Sequence, residues 1–523
     1  MGKFIVTPAH EAIFEQIQSR KRNLLINAVA GSGKSTTLLE SLRFVHRRER
    51  VGMFAFARRN KDDLLYKLKV RSQDPKLKDS MPHNISVLTM NSMGWRAYSA
   101  SMPFAVRFEE RKLNRLVKGM ENAEARGAVL KVTKLAKAFC IVPEGIPTQM
   151  AEGMNKDTDD VWAELIDHFA IEIPAEFTAN QIIRASRKLL GISTRDQVNV
   201  DFDDQLFFPI IYGSAFPKYN RVYVDECQDL SQLQHLMIER SLAPGGQFVF
   251  VGDENQAIYG FRGADSDSVQ KLEERFNCER LPLHVSYRCP KAIVELAQRY
   301  VPHIEAAPGN KEGVLDTQVK DFRRTDFEPD DFVVCRFNAP LVNVAYDLMR
   351  KGIKCMIMGK DIGEDLLALV QKLKSKTIEE LLRNLAAWEE KEVSRLVRAD
   401  KEDAAAVVSD RADTIRVFAE MEDTMPALEK RIATMFADAA EKSAIDEDGA
   451  PQPALRPGYV NLASIHKAKG LEAERVTILN FHELPCRWGK QAWQLQQEIN
   501  AVYIAVTRSM GTLRFAVVPK PRK

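Results

Sequence analysis

The segment Ala28-Val29-Ala30-Gly31-Ser32-Gly33-Lys34-Ser35 is a run of small residues closed by a lysine and a hydroxyl. Small residues let successive backbone N–H groups curl around phosphate oxygens, and a helix beginning just after them adds partial positive charge at its N-terminus. Lys34 then reaches the β- and γ-phosphates and the Ser35 hydroxyl ligates Mg²⁺. Ala30, Gly31, Ser32, Gly33, Lys34, Ser35 and Thr36 are therefore the candidate cradle for a nucleoside triphosphate. The P-loop pattern opens on Gly where this chain has Ala28, a position that contributes backbone alone. Far downstream, Arg221-Val222-Tyr223-Val224-Asp225-Glu226-Cys227-Gln228-Asp229 reads as an apolar strand ending in acids. By itself such a pair fits a solvated loop. Paired with the cradle, it delivers Asp225 to the metal, while Glu226 orients and deprotonates a water.

Positioning these residues takes strands that end at one edge. The β-rich runs Asn23–Ala28, Val51–Phe56, Ile85–Leu88, Val222–Val224 and Phe248–Val251 alternate with helical patterns such as Lys34–His46 and Leu233–Ser241. A second alternating region holds strand candidates Phe332–Cys335, Ile353–Met358, Val460–Ala463 and Val476–Asn480, with helices at Pro340–Lys351 and Gln496–Ser509. Alternation of this kind predicts parallel sheets covered on both faces. Residues from about 100 to 200 and from about 361 to 455 break the rhythm and read as helical insertions. Asp446–Pro457 is a polar, Pro-rich linker.

Further motifs extend the pattern. They are Phe250-Val-Gly-Asp253-Glu-Asn-Gln256-Ala-Ile-Tyr259-Gly-Phe261-Arg262-Gly263-Ala264, Ser286-Tyr287-Arg288, Ala463-Ser464-Ile-His466-Lys-Ala-Lys469-Gly470-Leu471-Glu472 and Tyr503-Ile-Ala-Val-Thr507-Arg508. With the two motifs above, and in this order, the chain resembles UvrD/Rep-type superfamily 1A DNA helicases, and more closely a compact group that includes the F-box DNA helicases and phage and bacterial relatives. The resemblance runs from about Thr7 to about Phe515 and is weakest in the two insertions.

The resemblance implies two RecA-like parallel-sheet motor domains of the P-loop NTPase class, each with a mostly helical insertion. The expected ranges are 1–100 and 201–275 for the first motor, with 101–200 inserted. For the second they are 276–360 and 457–523, with a reduced insertion at 361–456. It implies ATP and Mg²⁺ as cofactors, with the triphosphate in the cleft between the motors, and 3′-to-5′ movement on single-stranded DNA coupled to duplex unwinding. The alternative is a single-strand translocase that remodels protein–DNA complexes without processive unwinding. A nucleotide-switched binding module is the second rival, which intact Glu226, Gln256, Arg288 and Arg508 argue against.

Role by role, the resemblance puts Gln256 at the γ-phosphate and Tyr287 against adenine. Arg288 and Arg508 become arginine fingers, offsetting the charge that moves in phosphoryl transfer. Glu472 would accept from the ribose hydroxyls. Phe56, Thr89, Asn91, Tyr259, Phe261, Arg262 and His466 would face DNA. Phe261 stands where Trp is frequent and is either a stacking face or core. His10 stands where the family has Gln, in Thr7-Pro8-Ala9-His10, so an imidazole replaces a carboxamide at the adenine edge. Asn91 replaces a common His and Ala57 a common Asn. Asp201-Phe-Asp203-Asp204, Arg487-Trp488 and Gln491-Ala-Trp493 also resemble the group without a readable role.

Composition narrows the partners. The chain has 523 residues, with 75 Lys plus Arg against 72 Asp plus Glu, so the net charge of +3 selects no partner and any polyanion site must come from local segregation. Residues 107 to 137 concentrate Arg107, Arg111, Lys112, Arg115, Lys118, Arg126, Lys131, Lys134 and Lys137 on amphipathic helices. That stripe is either a DNA contact or a solvated helical face. Seven scattered cysteines without a CxxC pair exclude a zinc or iron–sulfur pattern and point to a reducing interior. With no long apolar run or secretory signal in view, the expectation is a cytoplasmic, monomeric motor whose partners are single-stranded and duplex DNA.

Overall fold

The structure, a computed structural model, describes residues 4–73, 80–119, 125–146, 148, 150–169, 171, 173–174, 176–258, 268–398, 402–437, 455–486 and 492–519. The chain divides into two compact units, Met1–Ala28 with Gly33–Leu283, and Val29–Ser32 with His284–Lys523. Each unit is built on one parallel sheet, as the alternation requires.

In the first unit, β1 (Asn23–Ala28), β2 (Arg50–Ala55), β3 (Asn84–Thr89), β4 (Tyr219–Val224), β5 (Leu242–Gly252) and β6 (Cys278–Leu283) run in the order β6-β1-β5-β4-β2-β3, every pair parallel. Successive side chains on a strand point to opposite faces, and here both faces are covered. Leu24, Ile26, Met53 and Val249 pack with Ile13 and Leu38 on one side. Leu25, Phe54, Val224 and Phe250 pack on the other with Phe207, Met93 and the inserted helices. The register sets Asn27 beside Gly252, Phe54 beside Val224 and Ala55 beside Thr89. The carboxyl ends of these strands are thereby level, which is where open parallel sheets bind ligands.

The first insertion contains the helices Lys112–Lys118, Arg126–Ala138, Asp159–His168 and Ala179–Arg195. Two short parallel ladders accompany them, Arg107–Phe108 with Asn199–Val200 and Ile141–Val142 with Asn155–Lys156. The expected basic outer face needs correction at two positions. Lys112 and Lys137 are fully buried: Lys112 Nζ lies 2.8 Å from Asp204, and Lys137 Nζ lies 2.6 Å from Asp204 and 3.2 Å from Asp201. A four-carbon stem reaches across a helix interface when a buried carboxylate awaits it, which helical periodicity cannot reveal. Arg107, Arg111, Arg115, Lys118, Lys131 and Lys134 remain exposed.

In the second unit, β7 (Val314–Asp321), β8 (Phe332–Cys335), β9 (Cys355–Met358), β10 (Phe436–Ala437), β11 (Val460–Ser464), β12 (Ala473–Leu479) and β13 (Ser509–Val517) form a parallel sheet ordered β7-β13-β12-β8-β11-β9-β10. Between β9 and β10 run the helices Lys360–Lys372, Ile378–Arg398, Glu402–Ala419 and Met425–Met435. Their apolar faces join the core of the sheet through Leu366, Leu385, Ile415 and Leu428. Asp410 from this insertion accepts the backbone N–H groups of Asn338 and Ala339, both at 3.0 Å. It caps the helix Asn338–Arg350, whose own N-cap position is Phe337 and offers no side-chain acceptor.

Four strands escape the sequence pattern or depart from it. β6 and β7 are charged edge strands, β6 also containing Pro282, as edges commonly are. β10 has two residues. The expected helix Gln496–Ser509 is shifted: it spans Ala492–Val506, and Ser509 opens β13. The Ala473 N–H donates to the Arg508 carbonyl at 3.1 Å, so pairing with β12 ends the helix there. No helix among the described residues is long and apolar enough to cross a membrane.

Candidate nucleotide and nucleic-acid sites

The small-residue loop after β1 turns on two glycines. Gly31 and Gly33 hold φ of 73° and 82°, the left-handed region in which a side chain is strained. Gly33 is the N-cap of the helix Lys34–Ser41, which continues as a 3₁₀ turn to Phe44. Lys34, Ser35 and Thr36 thus occupy the first turn of a helix that points its free N–H groups back along the loop.

The end of β4 carries the acids. Asp225 is buried, its N–H bonded to the Phe54 carbonyl at 3.0 Å and its Oδ1 accepting the Glu226 N–H at 3.0 Å. Glu226 adopts φ 55°, ψ 44°, a conformation that costs a non-glycine residue about 1–3 kcal/mol and recurs where geometry serves a reaction. A polar chain runs on from it to the end of β5. The Gln228 amide donates to Glu226 at 2.5 Å, its carbonyl accepts the Asp253 N–H at 3.1 Å, and Gln256 donates to Asp253 at 2.6 Å. Gly252 allows this approach, because a Cβ there would collide with Gln228 Oε1.

Burial, and then the neighbouring Glu226 carboxylate, pushes Asp225 up to about 7, while Lys34 pulls it down. Burial likewise raises Asp253, again opposed by Lys34. Lys34 therefore shares one electrostatic neighbourhood with both acids. A divalent cation fits this donor set. Two adjacent carboxylates that repel each other at a strand end, with a lysine in the same electrostatic neighbourhood, match the oxygen ligands Mg²⁺ prefers. Asp225 and Ser35 would hold it.

His10 forms a capping box with Thr7 at the start of the helix Pro8–Ser19. The Thr7 N–H donates to His10 Nδ1 at 3.2 Å, so Nδ1 is the acceptor and the ring proton sits on Nε2. That nitrogen is buried and without a partner. Burial lowers the His10 pKa and holds the ring neutral.

The second unit gathers another cluster. Arg288 Nη1 donates to Glu472 at 2.6 Å and Nη2 to the Thr507 carbonyl at 3.0 Å. Arg508 is 1% exposed and donates to the carbonyls of Ile504 and Leu471 and to the Thr507 hydroxyl. Burial and then Arg288 lower Arg508 to about 10. The two guanidinium groups thus repel each other, and Glu472 offsets the charge of Arg288. The short segment Val29–Ser32 packs with this unit: Tyr503 Oη accepts the Ala30 N–H, and the Gly31 carbonyl accepts the Tyr287 N–H, both at 2.9 Å. The Tyr287 side chain is exposed.

The expected DNA-facing residues divide. Tyr259, Phe261 and Arg262 lie outside the described residues, as do Arg487, Trp488 and Gln491. Thr89 spends its hydroxyl as N-cap of the helix Met90–Ser101, accepting the Ser92 N–H. Asn91 donates to the Phe202 carbonyl at 2.7 Å. Phe56 is half-buried after β2, and His466 lies on the short helix Ile465–Ala468 after β11.

Sequence reading missed Gln228 and Asp253, which complete the polar chain, and it assigned no role to Phe202. Phe202 is 52% exposed and Phe108 46% exposed, with ring centroids 4.8 Å apart in an edge-to-face pair. A large apolar residue between aspartates, Asp201-Phe202-Asp203, is the signal that could have marked it.

The chain is similar to known proteins in two stretches. Residues 150–277 match the UvrD/REP helicase N-terminal domain, and residues 358–518 match the UvrD-like helicase C-terminal domain. The chain belongs to the UvrD/Rep-type superfamily 1 helicases. Among relatives, DNA helicase II of Haemophilus influenzae is 32% identical over 93 residues, 18% of this chain and 13% of that protein. The ATP-dependent DNA helicase srs2 of Schizosaccharomyces pombe is 29% identical over 157 residues, 29% of this chain and 17% of that protein. DNA helicase II of Escherichia coli is 30% identical over 95 residues, 18% of this chain and 13% of that protein. The chain therefore covers less than a fifth of the length of each of these relatives.

Proposed function

We propose that this protein is an ATP-dependent DNA helicase that moves on single-stranded DNA and opens duplex by hydrolysing ATP. The observation that carries this reading is the level edge of the first sheet. There the glycine-turned loop with Lys34, the strained Glu226 beside buried Asp225, and the Gln228–Asp253–Gln256 chain meet. Lys34 and the loop N–H groups bind the triphosphate. Ser35 and Asp225 would hold Mg²⁺, which would neutralise phosphate charge there. Glu226 takes the proton of the attacking water, and Gln256 senses the γ-phosphate. Arg288 and Arg508 supply positive charge to the transferring phosphoryl group, with Glu472 as counter-ion to Arg288 until nucleotide arrives.

On the nucleic-acid side, the exposed Phe108–Phe202 pair offers stacking faces, and stacking contributes about 1–3 kcal/mol per base without sequence preference. The relatives' names, DNA helicase II and ATP-dependent DNA helicase srs2, support DNA as the polymer. Opening a duplex must overcome stacking of about 1.4 kcal/mol per base-pair step, which a cycle coupled to hydrolysis can supply repeatedly.

The decisive experiment measures ATPase with and without single-stranded DNA, then strand displacement on substrates with either tail. Turnover stimulated by single strands and displacement from a 3′ tail are expected. Lys34→Ala and Glu226→Gln should each abolish stimulated turnover while DNA binding remains. Full turnover in either variant would overturn the assignment.

A further inference from the structure

Parallel strands place all their starts on one edge, and in the first unit that edge lies opposite Lys34, Asp225 and Glu226. The segments that enter β1, β2 and β3 there are unusually basic. Arg20-Lys21-Arg22 precedes β1 and is exposed throughout. Arg43, His46, Arg47 and Arg48 lead into β2, and His83 leads into β3, whose first residue Asn84 sits beside Arg50 of β2. Arg43, His46, Arg47, Arg48 and His83 line one open hollow of about 620 Å³.

Among the described residues, two acids that reach this edge are each shared between two arginines. Glu49 lies 3.3 Å from Arg20 and 2.7 Å from Arg221, and Glu40 lies 2.8 Å from Arg71 and 3.6 Å from Arg43. Residues 43–50 alone hold four arginines against one glutamate, a surplus of +3 in a chain whose total is +3. Such a concentration in a near-neutral protein is an electrostatic footprint for a polyanion. Guanidinium forks suit phosphate geometry, and an exposed fork presents several donors at once. From β1 to β2 the edge crosses three inter-strand steps of about 4.8 Å, roughly 14 Å in all. That length spans about four charges of one strand measured along a duplex axis, at about 3.4 Å each.

We propose that this amino-terminal edge is a second, sequence-independent site for the phosphodiester backbone of nucleic acid, separate from the edge that bears the nucleotide motifs. It rests on the reading that the protein handles nucleic acid, but not on hydrolysis or unwinding. A site of this kind holds the polymer while the motor edge cycles, and it reads no bases.

The test uses the full chain with Lys21, Arg22 and Arg48 all changed to Glu, and a second triple variant with Ala at the same positions. Binding of a labelled blunt duplex and of a labelled single strand is followed by fluorescence anisotropy across a salt series, without nucleotide. The salt slope of duplex binding should shrink by about 0.9 for each phosphate that the variant no longer neutralises. Affinity at low salt should fall at least about tenfold in the Glu variant and less in the Ala variant, while ATPase stimulated by single strands stays at the parent level. A parallel loss for the single strand would identify the backbone in either form as the ligand. Unchanged duplex affinity and slope in both variants would overturn the proposal. So would displacement of the duplex by polyglutamate as effectively as by unlabelled duplex, which would make the edge an acidic-protein site. If the parent's ATPase fails to respond to single strands while the slopes still change, the motor reading falls and this site stands.

Discussion

His10 illustrates how one side chain can be both structural and functional. Its backbone and Nδ1 close the capping box with Thr7, a feature worth about 1 kcal/mol of helix stability. Its Nε2 is left as a buried donor. Burial depresses the pKa below its ordinary 6.5, so the unfolded chain binds the proton more tightly. Stability from this residue is therefore complete above pH 6.5 and is lost as pH falls through that value toward the lowered one. His10→Gln removes the titrating ring. The melting temperature of the variant relative to the parent should rise as pH is lowered from about 7.5 to about 5.5. A difference that stays constant with pH would contradict the buried neutral ring. The motif spacing located this residue, but the partner on Nδ1, which fixes the tautomer, is a contact only the folded helix start creates.

At the scale of elements, the interior strands of both sheets were legible because buried parallel strands are nearly continuous apolar runs. Asn23–Ala28 and Phe332–Cys335 match to the residue. β6 and β7 were hidden because edge strands tolerate charge and proline. The first insertion's helices were legible as amphipathic, and their apolar faces join the core of the first unit, yet a buried ion cluster also lies between them. Lys112 on Lys112–Lys118 and Lys137 on Arg126–Ala138 both meet Asp204, which opens the helix Asp204–Ile211. Lys112 also lies 4.6 Å above the Phe208 ring. Removing one member leaves uncompensated buried charge, which is more costly than the net contribution of the pair. Asp204→Ala should destabilise the protein by about 3–5 kcal/mol, read from denaturant unfolding, with Asp204→Asn falling between it and the parent. A loss below about 1 kcal/mol would match an exposed pair and refute the burial.

For the molecule as a whole, there are two units, each with its own sheet and core. Arg288 is tied to Glu472 and the Thr507 carbonyl, and it is proposed to act on the transferring phosphoryl group rather than to hold the nucleotide. Arg288→Ala should therefore lower kcat by about 10³–10⁵ with a much smaller change in nucleotide affinity. Steady-state ATPase and direct nucleotide titration separate the two effects. A variant with parent-level kcat would remove Arg288 from the reaction.

By itself the sequence determined the class and proposed the chemistry. A phosphate loop, an acidic strand end and the arginine motifs are local in the chain, and their order names the family, because each is a few residues whose backbone and charge act together. The tertiary structure alone decided which charges are spent inside. Lys112 and Lys137 leave the basic stripe for Asp204, while Gln228 and Asp253 join two strand ends. The cations entering β1, β2 and β3 come to one edge although separate segments carry them. Ion pairing and sheet order link residues distant along the chain, and periodicity records only neighbours.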